Sequence, residues 1–241
     1  MKFSEMISNA EQIYSYGSRV YGTHSEKSDF DFIVVLKKGI PKTDSLINIE
    51  ENHYQIYTHE EFLFKIKNHD IMALECIFSQ SWHRKKKDAE EFYKYFELNL
   101  NSLRESISTI SNNSWVKGKK KLIVSGDYDK CAGIKSVFHS IRILDFGIQV
   151  ARHGSIYDYR SKNYIWTELS KLAEQYDADI LWGKINAKYK NIFNSISSEF
   201  KQLAPKDLKI RDRKKSLKEI LERIDMYSPE LLEEIWELFE N

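Results

Sequence analysis

Hydrophobic and polar residues alternate along much of the first part of the chain. Four such stretches predict β-strands, at residues 12–16, 29–36, 45–49 and 53–58. In the second stretch the even-numbered positions are hydrophobic, whereas Asp29 and Asp31 share the other face with Ile33 and Val35. The pattern therefore predicts a strand that carries two carboxylates at the start of one face.

Helical spacing of hydrophobic residues begins in residues 59–78 and dominates from about residue 88 onward. Residues 90–110 predict one amphipathic helix, and residues 129–154 predict another that ends at a glycine. The polar residues 111–121 predict a connector between these two helices. Further amphipathic helices are expected up to the C-terminus.

This change of pattern predicts an α+β protein with two parts. The boundary falls near residues 84–100, where strand-like alternation has ended and helical spacing takes over. We therefore expect a sheet-containing domain at residues 1–90 and an all-helical domain at residues 91–241.

Charge and cysteine content exclude several classes of protein. Lys and Arg number 37 and Asp and Glu 36, so the formal net charge is only +1. Such a molecule is not expected to be attracted as a whole to nucleic acid or to an anionic membrane. No stretch approaches the ~18 apolar residues of a membrane helix, so we predict no membrane partner. Cys76 and Cys131 lack metal or redox spacing, which favours reduced thiols in a cytoplasmic protein.

Candidate chemistry concentrates in Gly17 and Ser18, which are followed by Asp29 and Asp31. Carboxylates two residues apart on a strand point to the same side, and their oxygens are ligands that Mg²⁺ prefers. A glycine-serine turn offers backbone N–H groups and a hydroxyl that suit phosphate oxygens. Taken separately, the turn and the acids could equally be a common surface turn and the solvated face of a strand.

Their order and spacing argue for function. The segment YGSRVYGTHSEKSDFDFIVVL resembles the signature of the DNA polymerase β-like nucleotidyltransferase superfamily, which has glycine-serine before a D-x-D strand. Gly17, Ser18, Asp29 and Asp31 match that signature, and two polar neighbours of the motif, Arg19 and Ser28, are further candidates for phosphate binding. The resemblance implies a mixed sheet flanked by helices, and Mg²⁺- or Mn²⁺-dependent transfer of a nucleoside monophosphate from a nucleoside triphosphate (NTP).

Residues 53–79 and 134–156 also resemble the RNA-repair-pathway branch of that superfamily. In that branch a helix presents a Leu-Glu pair, matched by Leu74 and Glu75, and a later helix presents basic residues, matched at Lys135 and Arg142. The position that the branch gives to a third aspartate is His53. Glu50 and Glu51 lie just upstream. A histidine in place of the third aspartate implies a changed site geometry, a histidine acting as base, or a loss of catalysis.

Lys135, His139 and Arg142 share one face of a predicted helix because they are four and three residues apart. They could form a clamp for a triphosphate. The alternative is a salt-bridged face, with Glu75 as partner for one of the cations.

Three basic clusters occur at residues 84–87, 117–121 and 211–215, and Trp115, Tyr128 and Trp166 are aromatic residues that could stack on bases. Solvated loops and core packing are the ordinary roles of such residues.

The sequence therefore favours a nucleotidyltransferase that uses an NTP and a divalent metal, with an RNA end as one candidate acceptor. Two alternatives stay open. The acceptor could be a protein or a small antibiotic-like molecule, or the chain could be a nucleotide-binding module that has lost catalysis. Base preference, acceptor and oligomeric state are not specified by the sequence.

Overall fold

The computed structural model describes residues 2–79 and 90–206. Residues Met1–Ala204 form one compact unit. Its architecture is α+β, as predicted, with a mixed four-stranded sheet, helices that flank it, and a helical part that follows in the chain. Among the described residues, no helix combines the length and hydrophobicity that a membrane span requires.

The sheet is formed by β1 (Ala10–Tyr16), β2 (Phe30–Leu36), β3 (Leu46–Ile49) and β4 (Asn52–Tyr57). The strands lie in the order β1-β2-β4-β3. The pairs β1–β2 and β3–β4 are antiparallel, and β2–β4 is parallel. All four strands coincide with the four stretches of alternating sequence.

Nine helices are described in residues 2–79 and 90–206: α1 (Phe3–Asn9), α2 (Ser18–Tyr21), α3 (His59–Lys67), α4 (Ile71–Phe78), α5 (Glu90–Tyr93), α6 (Leu100–Ile123), α7 (Lys130–His153), α8 (Asn163–Gln175) and α9 (Ala178–Leu203). A short 3₁₀ turn, Ser125–Asp127, precedes α7. The predicted end of α7 is confirmed, because Gly154 follows it with φ +70° and donates its N–H to the carbonyl of Val150.

The two faces of β2 enter two different hydrophobic cores. Phe32, Val34 and Leu36 pack in a small core with α1. Ile33 and Val35 belong to a larger core that includes residues of α3, α4, α6, α7, α8 and α9. Because Asp31 shares its face with Ile33 and Val35, its carboxylate is placed on the side of the sheet where the helical part packs.

Two glycines allow α6 and α7 to approach closely. A Cβ on Gly118 would come within 2.7 Å of a Val137 methyl group, and one on Gly133 within 2.5 Å of Leu122. Small residues at such positions let two helix backbones pack closely. Helix α7 is buried along most of its length, and it also contacts α8 and α9.

The helical segments differ from the prediction at three places. Residues 59–78 form two helices, because His69 adopts φ +54° and the Asp70 carboxylate caps α4. Residues 90–110 also divide, since α5 ends at Tyr93 and Asn99 caps the start of α6.

The predicted connector at residues 111–121 was wrong, because this segment lies inside α6. Residues of this segment have partners on other helices of the folded chain. Ser111 Oγ donates to the Ser140 carbonyl at 2.8 Å, and Trp115 packs against Trp182 and Phe193. Burial of these side chains against α7 and α9 outweighs the low helix propensity of a Ser-Asn-Asn-Ser run.

Contacts join the predicted domains at residues 1–90 and 91–241. The Asn163 side chain donates to the Tyr21 carbonyl at 2.8 Å, and the Tyr159 hydroxyl donates to the Glu75 carbonyl at 2.7 Å. The division itself stays a prediction. The basic clusters at residues 84–87 and 211–215 lie outside the described residues.

Candidate active site

The turn after β1 is built around Gly17, which has φ +76° and ψ −157° and precedes α2. Residues with a side chain rarely adopt such a positive φ. A Cβ at this position would also overlap the carboxylate of Asp31. The Asp31 carboxylate therefore lies directly against the backbone of the glycine-serine turn, and only glycine leaves room for it.

Asp29 and Asp31 form a cluster with His53 at the start of β2. The parallel register places Asp31 beside His53 of β4, and paired residues of adjacent strands point to the same face. His53 Nδ1 lies 3.4 Å from Asp31 Oδ1 and 3.9 Å from Asp29 Oδ2. The histidine is thus in ion-pair range of both acids.

Arg19 fixes the loop that leads to these acids. Its Nη2 donates to the Ser28 carbonyl at 2.6 Å, its Nε lies 3.4 Å from the Asp29 carbonyl, and its guanidinium stacks on Phe30 at 3.6 Å. The hydroxyl of Ser28 in turn accepts from the Ser25 N–H at 2.9 Å. Because its donors are directed to the loop, Arg19 orders the backbone before Asp29.

A cleft of about 560 Å³ opens beside the two acids, a volume within the usual range of small-molecule sites. Seven of the residues predicted to bind metal or phosphate line it: Ser18, Ser28, Asp29, Asp31, Lys135, His139 and Arg142. Gly17, Arg19 and His53 are not among the lining residues, and neither are Glu50 and Glu51, which form the β3–β4 turn. The fold thus joins the acids of the sheet with the basic face of α7.

Three lysines of the cleft have no carboxylate partner in the part of the chain that the structure describes. They are Lys27, Lys117 and Lys135. Some lysines elsewhere do have such a partner, as in Lys121 with Asp127 at 2.7 Å and Lys188 with Glu168 at 2.9 Å. Cations gathered without counter-charges repel one another and favour an anionic ligand.

Residues 2–89 match the polymerase beta nucleotidyltransferase family. The match covers the whole sheet and both halves of the motif, the turn at Gly17 and the acids at Asp29 and Asp31. It confirms the resemblance at the level of the superfamily, and it gives no support to the RNA-repair branch. No curated protein matches the chain.

Glu75 of α4 is the anchor for Arg142 of α7. Tyr21 donates its hydroxyl to Glu75 Oε2 at 2.6 Å, while Glu75 Oε1 lies 3.7 Å from Arg142 Nη2. The Arg142 guanidinium stacks on the Tyr21 ring at 3.3 Å. Burial raises the pKa of Glu75, and the charge of Arg142 opposes that shift. The structure thus contains the Glu75–Arg142 pair that the sequence offered as an alternative to a clamp.

His139 differs from the cationic group that a clamp would need. Arg142 Nη2 lies 2.9 Å from His139 Nδ1. Burial lowers the pKa of His139 to about 3, and the charges of Arg142 and Lys117 add to the effect. The imidazole is therefore neutral at physiological pH.

The aromatic residues that were candidates for stacking have different positions. Trp115 is buried in the helical core, which is the ordinary role that the sequence left open for it. Trp166 lines the cleft beside Phe138, at 5.6 Å between ring centroids. Tyr128 is exposed and is not a lining residue.

Sequence reasoning missed Lys27 and Tyr21 as lining residues of the cleft, and it did not distinguish Lys117 within its basic cluster. Lys27 lies between the two halves of the motif, and that position alone could have drawn attention to it. Lys117 had been counted within a basic run, but its approach to α7 depends on the pairing of α6 with α7. No local signal distinguishes it from its lysine neighbours.

The donor set of the cleft fits a hard divalent cation that is shared with a ligand. No group of three or more His, Cys, Asp or Glu side chains in residues 2–79 and 90–206 could hold a metal ion by itself. Asp29 and Asp31 supply carboxylate oxygens on one face. Mg²⁺ is commonly held by one or two carboxylates together with phosphate oxygens and water, so these two acids suffice for a metal that arrives with a triphosphate.

Proposed function

We propose that this chain transfers a nucleoside monophosphate from an NTP to an acceptor hydroxyl, with Mg²⁺ or Mn²⁺ bound by Asp29 and Asp31. One observation supports this most directly: Asp31 lies against a glycine-serine turn, and both acids share a cleft with three lysines that have no carboxylate partner among the described residues. Such a cleft complements a polyphosphate and its metal ion. Nucleotidyl transfer relies mainly on positioning and charge neutralisation, which these groups supply.

Each group has a defined role in the proposal. Gly17 and Ser18 offer N–H groups and a hydroxyl to the phosphates, while Lys117 and Lys135 neutralise charge from the opposite wall. When bound, the metal ion would polarise the phosphoryl group and favour departure of pyrophosphate. Arg19 acts indirectly, since it orders the loop through Ser28 and Asp29.

The acceptor is the finer part of the proposal. We propose an RNA end, in line with the resemblance of residues 53–79 and 134–156 to the RNA-repair branch. Trp166 gives the cleft an aromatic surface on which a base could stack. Protein and small antibiotic-like acceptors are the competing outcomes of the experiment below.

His53 is proposed to take the place of a third acid. Its ring lies beside both aspartates and is 38% exposed, so a substrate hydroxyl can reach it. In this role it would accept the proton of the attacking hydroxyl. The same observation favours a second candidate function, an NTP-binding module without catalysis, because a neutral imidazole supplies less negative charge to a metal than a carboxylate does.

The proposal also includes the setting of the reaction. We propose a cytoplasmic protein, in which Cys76 and Cys131, neither of which forms a disulfide within the described residues, stay reduced. We further propose that residues 1–90 carry the transfer chemistry and that residues 91–241 contribute the opposite wall and the acceptor surface.

The test incubates the protein with each of the four α-labelled NTPs and either Mg²⁺ or Mn²⁺. Total RNA, a protein extract and an aminoglycoside serve in turn as acceptors. We expect label on RNA with the wild type and none with the Asp29→Asn, Asp31→Asn double variant. Lys201→Gln, which removes an exposed lysine of α9 away from the cleft, is the control for a nonspecific change of charge.

Label on the protein extract or the aminoglycoside would show that RNA is not the acceptor. The proposed transferase activity would still stand. NTP binding measured by calorimetry, together with no pyrophosphate release under every acceptor condition, would favour the binding module. Equal labelling by the wild type and the double variant would contradict the proposal.

A further inference from the structure

We infer that His139 serves the cleft as a neutral hydrogen-bond donor to a phosphate oxygen, and that Arg142 holds it in this state. This inference rests on the proposed function, because it takes a triphosphate as the ligand. It changes the role of the basic face of α7. Of Lys135, His139 and Arg142, only Lys135 would then bring a positive charge to the ligand.

The tautomer of His139 follows from its neighbour. Arginine is always protonated and can only donate, so His139 Nδ1, 2.9 Å from Arg142 Nη2, must accept. A neutral imidazole whose Nδ1 accepts carries its proton on Nε2. Arg142 therefore fixes which nitrogen of the ring can donate.

Arg142 is itself too deeply held to bind a ligand through its whole guanidinium. Arg142 is only 5% exposed, and its guanidinium stacks on the ring of Tyr21. Its ionic partner, Glu75, is 2% exposed. Glu75 is fixed in turn by the Tyr21 hydroxyl. Arg142 is therefore a positioning residue that acts through His139.

His139 has its other side available to the cleft. It is a lining residue and only partly buried. In the part of the chain that the structure describes, its one hydrogen bond is the bond from Arg142. The Nε2–H is thus a donor without an acceptor in the described residues, and it can donate to an oxygen of a ligand.

Phosphate is the ligand chemistry that the surroundings favour. Lys135 lies one helical turn before His139, and Lys117 is near enough to lower its pKa. A third cation between these lysines would repel both in the free protein. A neutral donor adds a hydrogen bond to the anion without that cost.

The first experiment determines the tautomer. Nitrogen NMR of the histidine rings, assigned with His139→Gln, reports which ring nitrogen carries the proton at neutral pH. We expect protonated Nε2 and unprotonated Nδ1 for His139 in the free protein. A proton on Nδ1, or a doubly protonated ring, overturns the inference.

The second experiment measures binding of inorganic tripolyphosphate with Mg²⁺. His139→Gln places an amide N–H near the position of Nε2, whereas His139→Asn supplies an oxygen near Nδ1 for Arg142 but no donor that reaches the ligand. We expect His139→Asn to weaken binding about tenfold and His139→Gln by less than about threefold. Equal affinity of both variants and the wild type overturns the inference.

The positioning role is tested by Arg142→Lys, alone and combined with His139→Asn. If Arg142 acts through His139, the loss caused by Arg142→Lys is present in the wild-type background and absent in His139→Asn. Full additivity would instead indicate direct contact of Arg142 with phosphate and would contradict the role. These readouts are independent of turnover. If they hold and no transfer is found, the proposed function fails and the inference stands.

Discussion

The two walls of the cleft achieve their geometry in different ways. The sheet wall is made by backbone: a turn at Gly17 and the register of β2 place Asp31 against the glycine and beside His53. The helical wall is made by side chains, because Glu75, Tyr21 and Arg142 are buried and fix one another and His139. A change in the sheet wall should therefore reduce activity first, whereas a change in the helical wall should reduce stability first.

The largest effect is expected from Asp31→Asn, on the sheet wall. Loss of one metal-binding charge should lower transfer by about 10³-fold or more, which is about 4 kcal/mol of barrier. Because Asp31 is partly exposed, the midpoint of thermal unfolding should change little. Single-turnover transfer and a thermal melt measure the two quantities. A variant that unfolds early while retaining activity would reverse the assignment of the walls.

Glu75→Ala tests the helical wall. It leaves Arg142 as a buried cation without its partner, which should lower the free energy of unfolding by about 3 kcal/mol or more. Denaturant titration measures this. The double variant Glu75→Met, Arg142→Met removes both charges and should recover most of the loss. If the single variant is as stable as the wild type, Glu75 and Arg142 do not act as a pair.

Gly17→Ala and Gly39→Ala are a matched pair, since both glycines have φ near the same value, +76° and +79°. Gly39→Ala should cost about 1–2 kcal/mol of stability because of the positive φ, and Gly17→Ala should cost more because its Cβ also overlaps Asp31. Gly39 has open space around its α-carbon, whereas a Cβ on Gly17 meets the Asp31 carboxylate. Transfer should therefore fall only in Gly17→Ala, by about tenfold or more for a displaced catalytic group. Equal activities would show that Asp31 tolerates displacement.

The smallest effect is the pH dependence contributed by His139. Its pKa is lowered to about 3 in the folded protein and is about 6.5 when unfolded. Between these values the unfolded chain binds the proton and the folded one does not, so stability falls as pH falls from 6.5 toward 3. The slope is at most about 1.4 kcal/mol per pH unit, and less for a partly exposed ring. His139→Gln should lack this contribution, and parallel pH curves for the two proteins would contradict it.

Local sequence predicted the sheet wall better than the helical wall. The alternation in residues 29–36 fixed which face carries Asp31, and the pairing of Asp31 with His53 agrees with the place that the resemblance gave to a third acid. In contrast, the passage of α6 through residues 111–121 depends on Trp115 and Ser111 finding partners on α9 and α7. Such partners are distant in sequence, and the local pattern of hydrophobic residues does not predict them.

The same limit applies to the charges of the helical wall. The spacing of Lys135, His139 and Arg142 correctly placed all three on one face, which lines the cleft. It left open whether Glu75 pairs with one of these cations, and it did not reveal that the cation is Arg142 or that His139 is neutral. Ionisation depends on burial and on charges from other elements, here α4 and α6, and these follow only from the packed structure.

The close approach of α6 and α7 has a consequence for ligand selection. Gly118 adjoins Lys117, and Gly133 lies two residues before Lys135. Side chains at the two glycines would force the helix axes apart and move the two ammonium groups with them. If the cleft binds an anion as proposed, enlarging either glycine should therefore shift its preference toward bulkier anions.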